Sequence, residues 1–183
     1  KVYLLHGSLT TEETNWLYTH PKIKAYYSLT HGEGFGLGAF EAAYNELPVI
    51  ITDWSAPKEF LTIKDEDGAE KKLYAKVDYE LRPVEPKAVW PGVVEKESGW
   101  AYPIQTSARS RLREVYKDYG RFSSWAKKLN KYLRENYTEE KMYQAFIDAI
   151  YKDASADLEL QEWLNSMQPD ALEQQKETIK EYE

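Results

Sequence analysis

The chain has 183 residues, a formal net charge of −7, no cysteine, and 42% hydrophobic residues against 30% charged ones. Its length suits one well-cored domain, and an aromatic share of 14% excludes a wholly disordered chain. The missing cysteines exclude a disulfide scaffold and any thiolate metal site, three scattered histidines (6, 20 and 31) speak against zinc, and no run approaches the roughly 18 apolar residues of a membrane span.

The N-terminus has no signal-peptide layout, so a cytoplasmic chain without a membrane span is expected. It begins at Lys1 without a methionine and runs straight into a short apolar stretch, which reads as a piece cut from a longer protein. That stretch, Val2-Tyr3-Leu4-Leu5, closed by His6-Gly7-Ser8, predicts a strand. Thr11-Glu12-Glu13 opens a helix through Trp16, Leu17 and Tyr18, its acidic residues suiting the positive end, and Pro21 stops it. Ile23 to Ser28 reads as a buried strand, Phe40 to Leu47 as a helix ended by Pro48, and Pro48 to Thr52 as a β-branched strand buried on both faces. Asp53 and Ser55 lead into a short helix, Ala56 to Leu61. The order β-α-β-α-β-α predicts an α/β fold with a parallel sheet and right-handed crossovers.

From Thr62 to Ser98 the rhythm breaks, and this stretch reads as an insertion in the core. Lys64-Asp65-Glu66-Asp67-Gly68 carries a hairpin turn, and Leu73 to Leu81 alternates apolar and polar as one returning run. Asp65-Glu66-Asp67 matches the D-x-D pattern that some transferases use for a metal-bound nucleotide; a solvated hairpin tip accounts for the same residues. Arg82 to Ser98, with three prolines and Trp90, reads as an ordered loop, and Trp100-Ala101-Tyr102-Pro103 as one more strand. Thr106 or Ser107 is expected to cap a helix through Leu112, Val115, Tyr116 and Tyr119 that Gly120 ends. Trp125, Leu129, Tyr132 and Leu133 mark a further helix. Thr138-Glu139-Glu140 opens the next, with Met142, Tyr143, Phe146, Ile147 and Ile150 expected to face inward as core.

Residues 1–152 thus read as one domain and 153–183 as an acidic helical tail with a short amphipathic stretch at Leu158, Leu160, Trp163, Leu164 and Met167. The tail holds nine acidic residues and two lysines, so it carries the whole net charge and leaves 22 residues of each sign in the body. A body without a basic face is not expected to bind nucleic acid by counterion release.

The stretch with the most chemistry is Thr30 to Glu41, with glycines at 32, 34, 36 and 38 between a strand and a helix and seven residues separating Glu33 from Glu41. Such a turn gathers bare backbone N–H groups at a positive helix end, where phosphate binds, and carboxylates beside it can hold hydroxyls. Glu41 falls roughly 7 Å along the helix axis from Gly36 at about 1.5 Å per residue, so a nucleotide sugar can span both carboxylates. Two other readings stay open. Gly34-Phe35-Gly36-Leu37-Gly38-Ala39 fits the dinucleotide pattern G-x-G-x-x-A, although a βα unit precedes it and Asp53 follows too soon. The glycines can also serve a tight turn alone, with both glutamates on the surface. Aspects of His31 are equally open: it can help at a sugar or pack beside the strand end. Lys58 and Glu59 can line the same cleft or lie on a surface helix turn.

Glu33-Gly34-Phe35-Gly36-Leu37, followed by Glu41-Ala42-Ala43 and Pro48-Val49-Ile50, resembles the E-x7-E region of the GT-B glycosyltransferases of the group 1 (GT4-type) family, which typically read E-G-F-G-L-P-x-L-E-A and then P-V-I. Gly38 stands where that family has proline. The resemblance extends to the strand ending at Gly7, the helix after Thr11, Glu59, and more loosely to Gly99-Trp100-Ala101-Tyr102-Pro103 and the helices to about Lys152. It implies the Rossmann-like C-terminal half of a GT-B fold, with a hairpin insertion and C-terminal helices, that binds a nucleoside-diphosphate sugar for a retaining, hexosyltransferase-like enzyme. Glu33 is then the catalytic carboxylate at the transferred sugar. Glu41 meets the ribose, and His31, Gly34, Phe35, Gly36 and Leu37 surround the donor. No cofactor or metal is implied, because helix dipole and amides stabilise the leaving diphosphate. The family's basic pair on the diphosphate and its N-terminal acceptor-binding domain match nothing in this sequence, so the piece is expected to be inactive alone. Trp163, Leu164 and Met167 are expected to face that missing domain.

Overall fold

The computed structural model describes residues 1–65 and 67–154, with side chains through 150. One compact unit spans Lys1–Asn136, and a second begins at Tyr137. The first is mixed α/β around a small parallel sheet. Helix α1 (Thr11–Thr19) leads to strand β1 (Tyr26–Ser28), then helix α2 (Leu37–Tyr44) and strand β2 (Val49–Thr52). Helix α3 (Pro57–Leu61) runs into a hairpin, β3 (Thr62–Lys64) and β4 (Glu70–Lys72), and strands β5 (Ala75–Val77) and β6 (Tyr79–Pro83) follow. After a 3-10 turn at Pro86–Ala88 come β7 (Gly99–Pro103), α4 (Gln105–Lys117) and α5 (Tyr119–Asn136). The second unit contributes α6 (Glu139–Ala154), giving six α-helices among the described residues. None of them is long and apolar enough to cross a membrane.

The parallel sheet has the order β1-β2-β5, with Tyr26 opposite Val49 and Ile50 opposite Ala75. All four residues of β2 are buried, as an apolar β-branched run in the centre of a parallel sheet must be. On one side Ile50, Ala75 and Val77 pack against Ala108 and Val115 of α4 and Phe122 of α5. Elsewhere α2 presents only small residues inward, Ala39, Ala42 and Ala43, which brings its backbone close to its neighbours. Asn130 of α5 donates to the Tyr44 carbonyl, and the Arg134 guanidinium sits 4.4 Å over the Tyr44 ring, so α5 closes the end of α2.

Helix α2 is bounded by two residues in left-handed backbone. At its start Gly36 has φ 87°, and an added Cβ would lie 2.6 Å from Pro57 Cγ. At its end Glu46 has φ 58°. The Leu47 N–H donates to Ala42 O at 2.9 Å and the Glu46 N–H to Ala43 O at 3.2 Å, the paired bonds of a Schellman cap. At Gly38, the position where the resembling family carries proline, an added Cβ would meet Tyr26 Oη at 2.7 Å, so a side chain there requires the Tyr26 ring to shift.

Several expectations are corrected. Val2 to Leu5 forms no strand and is exposed, because a strand is stable only when another pairs with its backbone, and none among the described residues does. Leu73 to Leu81 is not one run: β5 joins the parallel sheet and β6 pairs antiparallel with β7, the break falling at Asp78. The parallel core therefore resumes at Ala75, inside the stretch read as an insertion. Helix α2 starts at Leu37, three residues before Phe40. Helix α4 starts at Gln105 without a side-chain cap; the Ser107 hydroxyl instead accepts from the Asp78 N–H at 3.0 Å and donates to Asp78 Oδ2 at 2.8 Å. The helix breaks at Asp118, and Gly120 lies inside α5. Met142, Tyr143, Phe146, Ile147 and Ile150 of α6 are exposed rather than inward. The tail after residue 154 and Glu66 of the D-x-D lie outside the described residues.

The two ends of α2 give opposite substitution effects. Glu46→Gly relieves left-handed strain of about 1–2 kcal/mol and is expected to raise stability by roughly 0.5–1 kcal/mol after glycine's entropic penalty. Gly36→Ala is expected to lower it by about 1–3 kcal/mol through strain and collision with Pro57. Urea unfolding midpoints measure both, and effects of the same sign would refute the assignment.

Candidate functional site

Parallel pairing of β1 and β2 places the segments that follow them at the same sheet edge, where ligands collect in open α/β sheets. After β1 comes the glycine turn. After β2 the chain turns tightly, with the Trp54 N–H donating to Thr52 O at 2.7 Å and Ser55 held at φ 62°. That strained conformation aims the Ser55 hydroxyl at the turn, where it accepts from the Glu33 N–H at 2.9 Å. Strand β7 supplies the third wall. His31 O accepts from the Ala101 N–H at 3.3 Å, and His31 Nδ1 lies 2.8 Å from Ala101 O. A carbonyl only accepts, so Nδ1 carries the proton of this bond. The imidazole also stacks on Trp100, with centroids 4.9 Å apart and planes 12° apart, and tilts on Tyr102 at 4.5 Å.

These three segments enclose an open cavity of about 580 Å³. Its lining comes from the turn (Thr30, His31, Gly32, Glu33 and Gly34), from the end of β2 (Trp54 and Ser55) and from β7 (Gly99 and Trp100). Three of the residues singled out from the sequence, His31, Glu33 and Gly34, therefore meet in one space. The others do not line it. Phe35 turns to an aromatic cluster with Phe40 and Phe60, each centroid 5.2 Å away, although it remains 45% exposed. Gly36 is buried under Pro57, and Leu37 is exposed at the first turn of α2.

Glu41 lies further along α2, beside Tyr18 of α1. Burial, then the Glu41 carboxylate, pushes the Tyr18 phenol up to about 12. Lys58 and Glu59 border a different cavity of about 590 Å³, together with Lys64, Glu70, Lys72 and Tyr132. No group of three or more histidines and carboxylates among the described residues is placed to hold a metal ion.

No family model, curated protein or solved structure matches this chain. The reading of the site therefore rests on its geometry and on the residues that carry the resemblance.

Trp54, Ser55 and Trp100 were not legible as site residues from the sequence. One signal pointed toward the first two: they follow the most buried strand at the end where ligands bind. Asp53 begins the same connection and anchors a second group. Lys72 Nζ bonds both carboxylate oxygens at 2.8 and 2.7 Å, and Tyr74 Oη donates to Oδ1 at 2.5 Å. Burial pushes the Asp53 carboxyl up, but the hydrogen bonds of Lys72 and Tyr74, with the Lys72 and Lys58 charges, outweigh it and hold the carboxyl below its ordinary value. Burial and the adjacent carboxylate drive the Tyr74 phenol strongly upward.

A carboxyl depressed on folding contributes stability above its unfolded pKa and loses it as pH falls through the folded value. Asp53→Asn is thus expected to destabilise the protein by about 1–2 kcal/mol at neutral pH, with the gap to wild type narrowing below about pH 4. Unfolding free energies across pH test this, and a gap independent of pH would show that the carboxylate charge contributes nothing.

Proposed function

We propose that this chain is the donor-binding half of a retaining glycosyltransferase, with the Rossmann-like architecture of a GT-B C-terminal half, and takes a nucleoside-diphosphate sugar. The observation that carries the reading is the placement of Glu33. Glu33 lines a cavity at the ends of parallel strands, three residues ahead of Gly36, the N-cap of α2, which supplies no side-chain cap. With Gly36 in left-handed backbone, the first N–H groups of α2, from Leu37 and Gly38, are available to an anion at the positive end of the helix.

In this reading the diphosphate sits at the start of α2 and the transferred sugar at Glu33. The carboxylate accepts from sugar hydroxyls by charge-assisted bonds. As the glycosidic bond to phosphate breaks, negative charge grows on the diphosphate, where backbone N–H groups and the helix dipole already point. Glu41, farther along α2, accepts from the ribose hydroxyls. A carboxylate offers about four lone-pair directions, which leaves capacity beside Tyr18. His31 and Gly34 shape the sugar end, while Phe35 holds the turn to α3 through Phe60. The N-terminal acceptor-binding partner lies in another part of the enzyme, so this piece is proposed to bind donor without completing transfer.

A thermal-shift series with UDP-, GDP- and ADP-hexoses tests the reading, since a ligand that binds only the folded state adds about 2.7 kcal/mol at 100 times its Kd. One nucleotide series is expected to raise the melting temperature in wild type, and Glu41→Ala is expected to reduce that rise. A shift with NAD and none with any nucleotide sugar would replace the donor reading with a dinucleotide one. No shift with any of them would reduce the turn to a structural feature.

A further inference from the structure

Two tryptophans line the cavity that Glu33 also lines, and they come from segments 46 residues apart in sequence, Trp54 after β2 and Trp100 in β7. Each is only part-buried, and each is braced by another ring. Trp100 lies flat on His31, whose own orientation is set by its bond to Ala101 O. Trp54 leans on Tyr79 of β6 with centroids 5.2 Å apart. The Trp54 indole also lies against the turn itself: a Cβ on Gly32 would be 3.7 Å from its Nε1. Rings held this way lose little freedom when a ligand arrives, so their faces are ready-made apolar walls.

The charge of the lining restricts what those walls receive. Glu33 is the only carboxylate among the residues that line the cavity, and none of them is lysine or arginine. A phosphate there would meet a carboxylate without a countercharge, so the space suits an uncharged ligand. It must have an apolar face for an indole and donors for a carboxylate. A pyranose ring has both: axial C–H groups make one face apolar, while hydroxyls form a polar rim.

We infer that Trp54 and Trp100 form a stacking wall for an uncharged pyranose whose hydroxyls bind Glu33, so that this site selects neutral hexoses over uronic acids. The inference deepens the donor reading by naming the sugar class, and it rests on that reading for the sugar's attachment to a nucleotide. The indole faces supply shape and apolar contact. Glu33 supplies hydroxyl recognition and repels a sugar carboxylate.

The test uses free methyl glycosides, so it does not depend on nucleotide binding. Indole Nε1–H signals of the whole chain are recorded by NMR and assigned with Trp54→Phe and Trp100→Phe. Methyl glucoside, galactoside and mannoside are titrated to about 50 mM, the range in which millimolar binding is seen. Saturable shifts of both the Trp54 and Trp100 signals are expected with at least one neutral glycoside, and methyl glucuronide is expected to bind at least about tenfold more weakly. Glu33→Gln should narrow that difference, a change that loss of packing alone would not produce. The wild-type titration stands even if a tryptophan variant fails to fold.

The wall is refuted if neither indole responds to any glycoside, or if glucuronide binds as well as the neutral sugars. It is also refuted if UMP, GMP or AMP moves the two indoles while glycosides do not, which would assign it to a base. Glycoside binding without any nucleotide-induced thermal shift would leave the sugar wall standing and overturn the donor reading. A nucleotide shift without glycoside binding would do the reverse.

Discussion

The parallel register of Tyr26–Ser28 beside Val49–Ile51 governs the arrangement of everything around the cavity. Because the two strands run the same way, both exit at the same edge. The glycine turn and the Asp53–Ser55 connection therefore emerge side by side, close enough for the Glu33 N–H to reach Ser55 Oγ. The pairing itself is stabilised by burial of β2 on both faces, where every residue is removed from water. An antiparallel partner would have sent the second connection to the opposite edge, and Glu33 would face neither Ser55 nor Trp54.

Strain is concentrated where the connections meet. Ser55 holds a left-handed conformation that glycine would adopt more easily, yet glycine has no hydroxyl to accept from Glu33. Gly36 shows the converse, since its neighbour Pro57 leaves no space for a side chain. The residue that supplies a bond keeps its side chain, and the residue that supplies only a bend does without one. The β6-β7 hairpin adds a third support, because Ala101 binds both the backbone carbonyl and the ring of His31. The aromatic residues divide accordingly. Phe35, Phe40 and Phe60 lock the turn to α2 and α3, whereas Trp54 and Trp100 line the cavity, Trp100 stacked on His31 and Trp54 against Tyr79.

Legibility in the sequence follows the range of the cause. Helix α1 was readable from Thr11-Glu12-Glu13 because acidic residues suit a positive helix end; the Thr10–Glu13 capping box that closes it emerged only in the structure. Strand β2 was readable because Val49-Ile50-Ile51 tolerates few other environments, and the turn between β3 and β4 because Asp67-Gly68 suits one, although the returning strand is Glu70–Lys72 and not the run from Leu73. Val2 to Leu5 misled because apolar composition signals a strand without supplying its partner. Gly120 misled because a glycine near a helix end resembles a stop, while Tyr119, packed against the core cluster, lets a new helix begin one residue earlier. Leu73 to Leu81 misled because an alternating pattern is the same whether its residues serve one sheet or two.

The sequence by itself determined the local pieces: the glycine turn between a strand and a helix, the spacing of Glu33 and Glu41, and the α-β-α-β-α order from Thr11 to Leu61. Backbone freedom, capping and hydrophobic periodicity act between near neighbours, and those are written in order along the chain. Tertiary structure alone decided that Glu33 shares its cavity with Trp54, Ser55 and Trp100, while Glu41 lies beside Tyr18. It also decided that Ala75 to Val77 completes the parallel sheet. Those outcomes depend on which strands pair and in what register, a choice made by burial of the whole core that no short stretch specifies.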